Sequence, residues 1–266
     1  MNPIYDFHVH SNISKDSDES LIAMAMAARE LDMPGLCFTE HLDPFFPDDF
    51  EPFYIDWNKY KTDIYNARMM FPELDIYMGM EAGLYHKSYE EINKQIEENN
   101  LDFVIGSMHC TDEMTIGEHD YYTRYEKRKI QEDYINAYIK NIQNFDNFDV
   151  VAHIGFLSKF APGPDWEILY KDFKEQIDEL LKLIISKGKG IEVNASGLKN
   201  SAYTLPEIDI IKRFRELKGE IITVGSDAHS KIYVGYEFDY IKVMLHKMGI
   251  QYLTKFENRK PVFYQF

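Results

Sequence analysis

With 266 residues, 45% of them hydrophobic and 28% charged, the chain has the length and balance of one large globular domain with a full core. A formal net charge of −16 opposes binding to nucleic acid polymers and to anionic membranes, because the long-range field repels both. No segment approaches the ~18 consecutive apolar residues of a membrane span, and a small phosphorylated ligand stays compatible where bound divalent ions reverse the local field.

Ile4 to Phe7 read as a short strand that runs into His8-Val9-His10. Residues two apart on an extended chain share a face, so both imidazoles can be presented to one point. The pair alone is weak evidence for a metal, since polar residues at a strand end are often only solvated. A polar turn from Ser11 to Ser20 carries Asp16, and Ser20 or Asp18 is placed to cap a helix over Leu21 to Leu31. Pro34-Gly35 stops that helix, and Leu36 to Thr39 form a second strand leading to Glu40-His41. The long loop from His41 to Asp56, rich in Pro, Phe and Asp, reads as a structured lid or pocket wall.

Trp57 to Phe71 carries Tyr60, Ile64, Ala67 and Phe71 at helical spacing. Leu74 to Met80 is the third strand, ending at Glu81, and Tyr89 to Asn99 a polar surface helix. Leu101 to Gly106 is the fourth strand, ending near His109, and Thr111 to Tyr125 a second long loop. A helix over Glu126 to Phe145 precedes the fifth strand, Phe148 to Ala152, which delivers His153. Pro162-Gly163-Pro164 marks a turn before a long helix from about Trp166 to Ser186. Lys189 to Val193 is the sixth strand, and Pro206 to Leu217 a helix with proline in its first turn. Glu220 to Val224 is the seventh strand, delivering Asp227 and His229; a helix over Phe238 to Met248 and a tail containing Tyr252-Leu253 follow.

Strand and helix alternate throughout, without an internal repeat or linker, which points to parallel strands joined by right-handed crossovers. The expected fold is α/β: a single domain over 1–266, built as a distorted seven-stranded TIM-like barrel with its site at the C-terminal mouth. Cys37 and Cys110 are too few for a disulfide framework, and no basic stretch followed by an apolar one opens the chain. The expectation is a reduced, cytoplasmic protein. Cys37, inside an apolar run, reads as a core residue. The pattern specifies no oligomeric state.

The strand ends collect His8, His10, His41, Glu81, His109, His153, Asp227 and His229, and the first loop adds Asp16. Imidazoles and carboxylates suit zinc, manganese or ferrous iron, and this set is too large for one ion and right for two or three. A single histidine at a strand end is more often a hydrogen-bonded structural residue, but here six of the 9 histidines fall at such ends. His86, His119 and His246 read as surface residues.

This combined pattern resembles the polymerase and histidinol phosphatase (PHP) family over nearly the whole chain. The resemblance implies a trinuclear metal site in which His8, His10, Glu81 and Asp227 hold one ion, Glu81, His109 and His153 a second, and Asp16, His41 and His229 a third, with Glu81 bridging. The length and the segments Val151 to Gly155 and Ile191 to Lys199 look most like the histidinol-phosphate phosphatase branch. That branch implies a metal-dependent phosphomonoesterase acting on a small phosphorylated metabolite, with a metal-bridging hydroxide attacking phosphorus in line. Asp227 or His229 is then the proton donor to the leaving group. Where the branch tends to carry phosphate-binding arginines, this chain has Lys159 and Lys199, point charges in place of planar forks; Asn194 is a further candidate contact to substrate. Two other enzymatic readings follow from the same residues: a related phosphoesterase for a nucleotide or sugar phosphate, and a metal-dependent amidohydrolase. A module keeping metals for stability alone is disfavoured by so complete a ligand set.

Overall fold

Seven strands lie side by side in chain order, each parallel to the next: β1 (Asp6–Val9), β2 (Gly35–Leu42), β3 (Asp75–Gly83), β4 (Phe103–Ser107), β5 (Val150–Val151), β6 (Gly190–Asn194) and β7 (Ile222–Gly225). The computed structural model describes residues 4–163 and 165–266. The sheet curls until its edges meet: Val9 bridges Ala228 in parallel, the His10 amide donates to Ala228 O at 2.9 Å, and the Asp227 amide donates to His8 O at 2.9 Å. The expected barrel is present. Among the described residues no helix is long and apolar enough to cross a membrane.

The crossovers carry α1 (Leu21–Glu30), α2 (Trp57–Met70), α3 (Tyr89–Glu98), α4 (Lys127–Asn144), α5 (Lys174–Ser186), α6 (Ile208–Glu216) and α7 (Phe238–Lys247). Ser20 caps α1 by accepting from the Ala23 amide, and Asp56 caps α2 by accepting from the Asn58 and Lys59 amides. Tyr60, Ile64 and Ala67 form the buried stripe of α2, as their spacing predicts. The Tyr60 hydroxyl reaches Phe38 O at 2.9 Å and Gly79 O at 3.1 Å, fixing the helix across β2 and β3.

Four expectations about elements need correction. β2 and β3 run past their apolar stretches to Leu42 and Gly83, so His41 and Glu81 lie inside strands and face each other in register. α5 starts at Lys174 rather than near Trp166; the preceding chain is extended or 3-10, and Trp166 and Ile168, two apart, are both buried, as an extended segment allows. Of the turn expected at Pro162-Gly163-Pro164, Pro164 lies outside the described residues. Pro206 precedes α6 instead of entering its first turn, because Leu205 is held extended in an antiparallel bridge to Asn194, with N···O distances of 2.9 and 3.0 Å.

The fourth correction concerns the tail, which forms a hairpin of β8 (Tyr252–Glu257) and β9 (Lys260–Gln265). Asn258 and Arg259 turn the chain with φ of 51° and 64°, the left-handed pair that a two-residue hairpin needs. Phe256 closes the bottom of the barrel against Phe7, Cys37, Phe103 and Val150, its ring 5.1 Å from that of Phe103. The mouth is left as the open end.

Candidate metal centre

Period-two geometry on β1 turns His8 and His10 inward together, and their Nε2 atoms stand 3.1 Å apart. Glu81 projects from β3 into the middle of the barrel. Its Oε2 lies 3.1 Å from His8 Nε2 and 3.3 Å from His10 Nε2, while Asp227 Oδ1 completes this first group at 3.9 and 3.7 Å from the same nitrogens. The other Glu81 oxygen, Oε1, faces a second group, His109 Nε2 at 3.2 Å and His153 Nε2 at 2.9 Å. At the rim Asp16 Oδ2 sits 3.4 Å from His41 Nε2 and 3.2 Å from His229 Nε2. The ring of His10 stacks between those of His41 and His229, at 4.3 and 4.2 Å, so this rim group adjoins the first.

These donor atoms fit divalent cations on a feature of this structure. Glu81 Oε2 is fully buried and accepts no hydrogen bond, although imidazole nitrogens surround it. A buried carboxylate oxygen without a donor is costly, and a cation shared with those nitrogens satisfies all of them at once.

Four of the remaining imidazole nitrogens are spent on orientation, while His41 Nδ1 lies 3.0 Å from Glu81 Oε2 and His153 Nδ1 has no hydrogen-bond partner. His8 Nδ1 lies 2.7 Å from Glu192 Oε1, His109 Nδ1 2.9 Å from Asp43 Oδ1, His229 Nδ1 3.2 Å from Asp227 O, and His10 Nδ1 3.4 Å from Ser14 Oγ. Each such contact holds the ring so that Nε2 offers its lone pair inward. Ser14 and Ser11 in turn donate to the buried Glu40, each Oγ at 2.6 Å, and Ser107 Oγ donates to Glu81 Oε1 at 2.5 Å. Sequence reasoning missed Asp43, Glu40, Ser14 and Ser107. Glu192, two residues before Asn194 on β6, shares its inward face.

Two glycines make room for these acids. A Cβ on Gly83 would lie 1.9 Å from Asp43 Oδ1, and one on Gly225 would lie 2.2 Å from Glu192 Oε1 and 2.4 Å from His8 Cβ. Burial alone pulls His109 down, but Asp43 and Glu81 outweigh it and raise the ring to about 10. Burial likewise opposes the charged forms of Glu81 and Asp227, yet His8, His41 and His109 hold Glu81, and Lys159 and His8 hold Asp227, well below the carboxylate range. His10 is kept neutral by burial and by His229 and His41.

Asp227 adopts a left-handed backbone, φ 54°, a conformation that a non-glycine residue holds only where its surroundings impose it. The twist lets one carboxylate serve two faces, since Oδ2 accepts from Lys159 Nζ at 2.7 Å and from Ser196 Oγ at 3.1 Å. Lys159 comes from a 3-10 turn, Phe156–Lys159, and is part of the site rather than a surface charge. Lys199 is half-buried, its Nζ 3.8 Å from the Tyr233 ring centre; burial lowers its pKa, and Asp227 and Lys159 are both near enough to act on it. Asn194 stands elsewhere than expected: its Oδ1 accepts from the Ser196 amide and its Nδ2 donates to Glu192, so both ends are used within the protein. His86, His119 and His246 are exposed, as expected.

Above the donors opens a cavity of about 350 Å³ lined by Asp16, His41, Glu81, His109, His153, Asp227 and His229 on its floor. Phe46, Phe50 and Phe53 from the loop after β2 form one wall, and Phe156 and Phe160 the other, with Lys159 between floor and rim.

The PHP domain model matches residues 6–196. The chain is 27% identical to the histidinol-phosphatase of Lactococcus lactis subsp. lactis, over 96% of this chain and 95% of that protein. A Clostridium acetobutylicum protein named as a probable histidinol-phosphatase is 29% identical over 98% of this chain and 97% of its own length. The crystal structure of the Lactococcus lactis histidinol phosphate phosphatase, complexed with zinc, L-histidinol and phosphate, superposes with a TM-score of 0.87 at 26% identity, covering 97% and 98% of the two chains.

Proposed function

The chain belongs to the PHP domain family, and from that premise we propose that it is a metal-dependent histidinol-phosphate phosphatase, converting L-histidinol phosphate and water to L-histidinol and phosphate. The observation that carries the reading is the central place of Glu81, with Oε2 at 3.1, 3.3 and 3.0 Å from nitrogens of His8, His10 and His41 and Oε1 at 3.2 and 2.9 Å from those of His109 and His153. Full-length similarity to histidinol-phosphatases supports it.

His8, His10, Glu81 and Asp227 would hold one divalent ion, zinc, manganese or iron; Glu81, His109 and His153 would hold a second, and Asp16, His41 and His229 a third. Such ions supply Lewis acidity and bring the pKa of water near ~7. Glu192, Asp43 and Ser14 orient the imidazoles, and Lys159 places a positive charge where the phosphoryl oxygens arrive. Lys199 adds a second positive charge behind Asp227. His229, the most exposed of the donor histidines at 30%, or Asp227, which is ionised, would relay to the leaving alkoxide a proton taken from the attacking water. The aromatic walls exclude bulk water from the alcohol half. Cys37 and Cys110 are free and buried, in keeping with a reduced, cytoplasmic setting.

Phosphate release from L-histidinol phosphate, measured with added zinc or manganese beside a panel of phosphomonoesters, tests the assignment. A kcat/KM well above that for generic esters is expected, and equal rates would remove it. Lys159 and Lys199, in place of planar arginine forks, favour one alternative, a broader phosphomonoesterase that also accepts nucleotide or sugar phosphates.

A further inference from the structure

The cavity is chemically two-sided. Its floor is charged, and its upper walls are almost wholly aromatic. Phe53 rests against the His41 ring at 5.0 Å, Phe46 and Phe50 meet at 4.9 Å, and Phe50 and Phe53 lie nearly parallel at 15°. On the opposite wall Phe156 stacks on His153 at 4.5 Å and meets Phe160 edge to face at 5.1 Å. The outermost ring of each wall still faces water: Phe50 is 36% exposed and Phe160 47%. Scattered exposed phenylalanines are ordinary, but these two flank the same opening.

The lid that carries the first wall is fixed in place. Asp43 and Phe53 pair through their backbones at 2.9 and 3.1 Å, Lys15 Nζ donates to Glu51 O and Pro52 O at 2.9 and 3.0 Å, and Asp48 accepts from Thr115 N and Oγ1 at 2.8 and 2.7 Å. The walls therefore stand ready before ligand arrives, and little order is lost on binding.

Resting on the phosphomonoesterase reading, we propose that Phe50 and Phe160 determine specificity by offering their ring faces to a flat ring on the alcohol half of the substrate. A planar ring covers the solvated faces of both phenylalanines and gains stacking. A polyhydroxylated alcohol would press hydroxyls against surfaces that offer no acceptor, and a puckered ring would touch each face at a few atoms only. The floor fixes the phosphoryl group, and the walls choose what is attached to it.

The test compares kcat/KM of the metal-loaded protein for 2-phenylethyl phosphate and 2-cyclohexylethyl phosphate, which share carbon count and spacer and differ in flatness. The flat ring is expected to win by roughly tenfold, and F50L/F160L to bring the ratio to near one without shifting the melting curve. If the double variant fails to fold, Phe160→Leu alone is expected to cut the ratio by roughly threefold. A wild-type ratio near one, or a ratio that survives the substitutions, overturns this role of the two rings even if L-histidinol phosphate is hydrolysed. A preserved ratio without L-histidinol phosphate turnover supports that role and removes the named substrate. Loss of all phosphomonoesterase activity in the loaded wild type overturns both.

Discussion

Lys159 Nζ lies 2.7 Å from Asp227 Oδ2, on the carboxylate oxygen turned away from His8 and His10. The lysine thus touches an acid of the donor set without occupying the face that the imidazoles share. Lys159→Met is expected to lower kcat/KM for a phosphomonoester by ~10- to 100-fold, the worth of a charged hydrogen bond, while leaving the metal count unchanged. Steady-state kinetics beside elemental analysis separates the two effects; metal loss in step with activity would refute the placement.

Glu81 is shared between two groups, so its neutralisation should empty both. For Glu81→Gln we expect metal content to fall by more than one ion per chain and activity to fall by at least ~1000-fold, because the chemistry needs the ions it holds. Elemental analysis after gel filtration is the readout. Loss of a single ion would show that the two groups fill independently.

Metal uptake should release protons. Asp43 and Glu81 raise His109 to about 10 against the pull of burial, so in the metal-free protein its ring is protonated at neutral pH and must lose that proton to bind. Apparent affinity is expected to rise with pH by up to roughly tenfold per unit for that proton throughout the range below about 10. The sign for stability is the reverse. A raised pKa gives the metal-free fold a contribution fully present below pH ~6.5, and it is lost as pH rises through about 10. Calorimetry in buffers of different ionisation enthalpy counts the protons, and a count of zero would contradict the prediction.

Gly225→Ala places a methyl group 2.2 Å from Glu192 Oε1, where the Glu192 to His8 contact now stands. The expected cost is ~1 to 3 kcal/mol of stability from overpacking, with a ~10- to 100-fold loss in affinity for the first ion from the freed imidazole. Thermal melting with and without metal measures both. A melting curve shifted equally in the two conditions would confine the effect to packing.

Phe256→Ala removes the ring that closes the barrel bottom, 2% exposed and far from the mouth. We expect ~3 to 5 kcal/mol lower stability and unchanged kcat per folded molecule. Chemical denaturation with activity normalised to folded protein checks this, and a fall in kcat would mean that the floor of the barrel is coupled to the site.

Much of this architecture is written locally. Each of the seven strands has an apolar run, and the residues that gather at the mouth follow or end those runs. β2 and β3 ran longer than their apolar stretches because His41 and Glu81 are polar yet point into the barrel, while Glu40, on the other face of β2, is buried against Ser11 and Ser14, so periodicity broke where the site began. The hairpin was missed because Asn258-Arg259 carries no glycine to mark its turn. The orienting acids were hard to see for another reason: Glu192 is 184 residues from His8, and Asp43 is 66 from His109. A lone acid in a strand does not name its partner. Asn194 misled in the opposite direction, since an inward polar residue at a strand end serves equally well to cap the turn that follows it.

The seam between β1 and β7 has a bearing on biosynthesis. His8 and His10 emerge from the ribosome first, yet the residues that lock them in place, Asp227 and Ala228, belong to the last stretch of the barrel. A nascent or prematurely terminated chain lacking that stretch carries most of the donors but cannot close around them. Closure of the barrel around the first two histidines therefore waits for β7, the last of its strands.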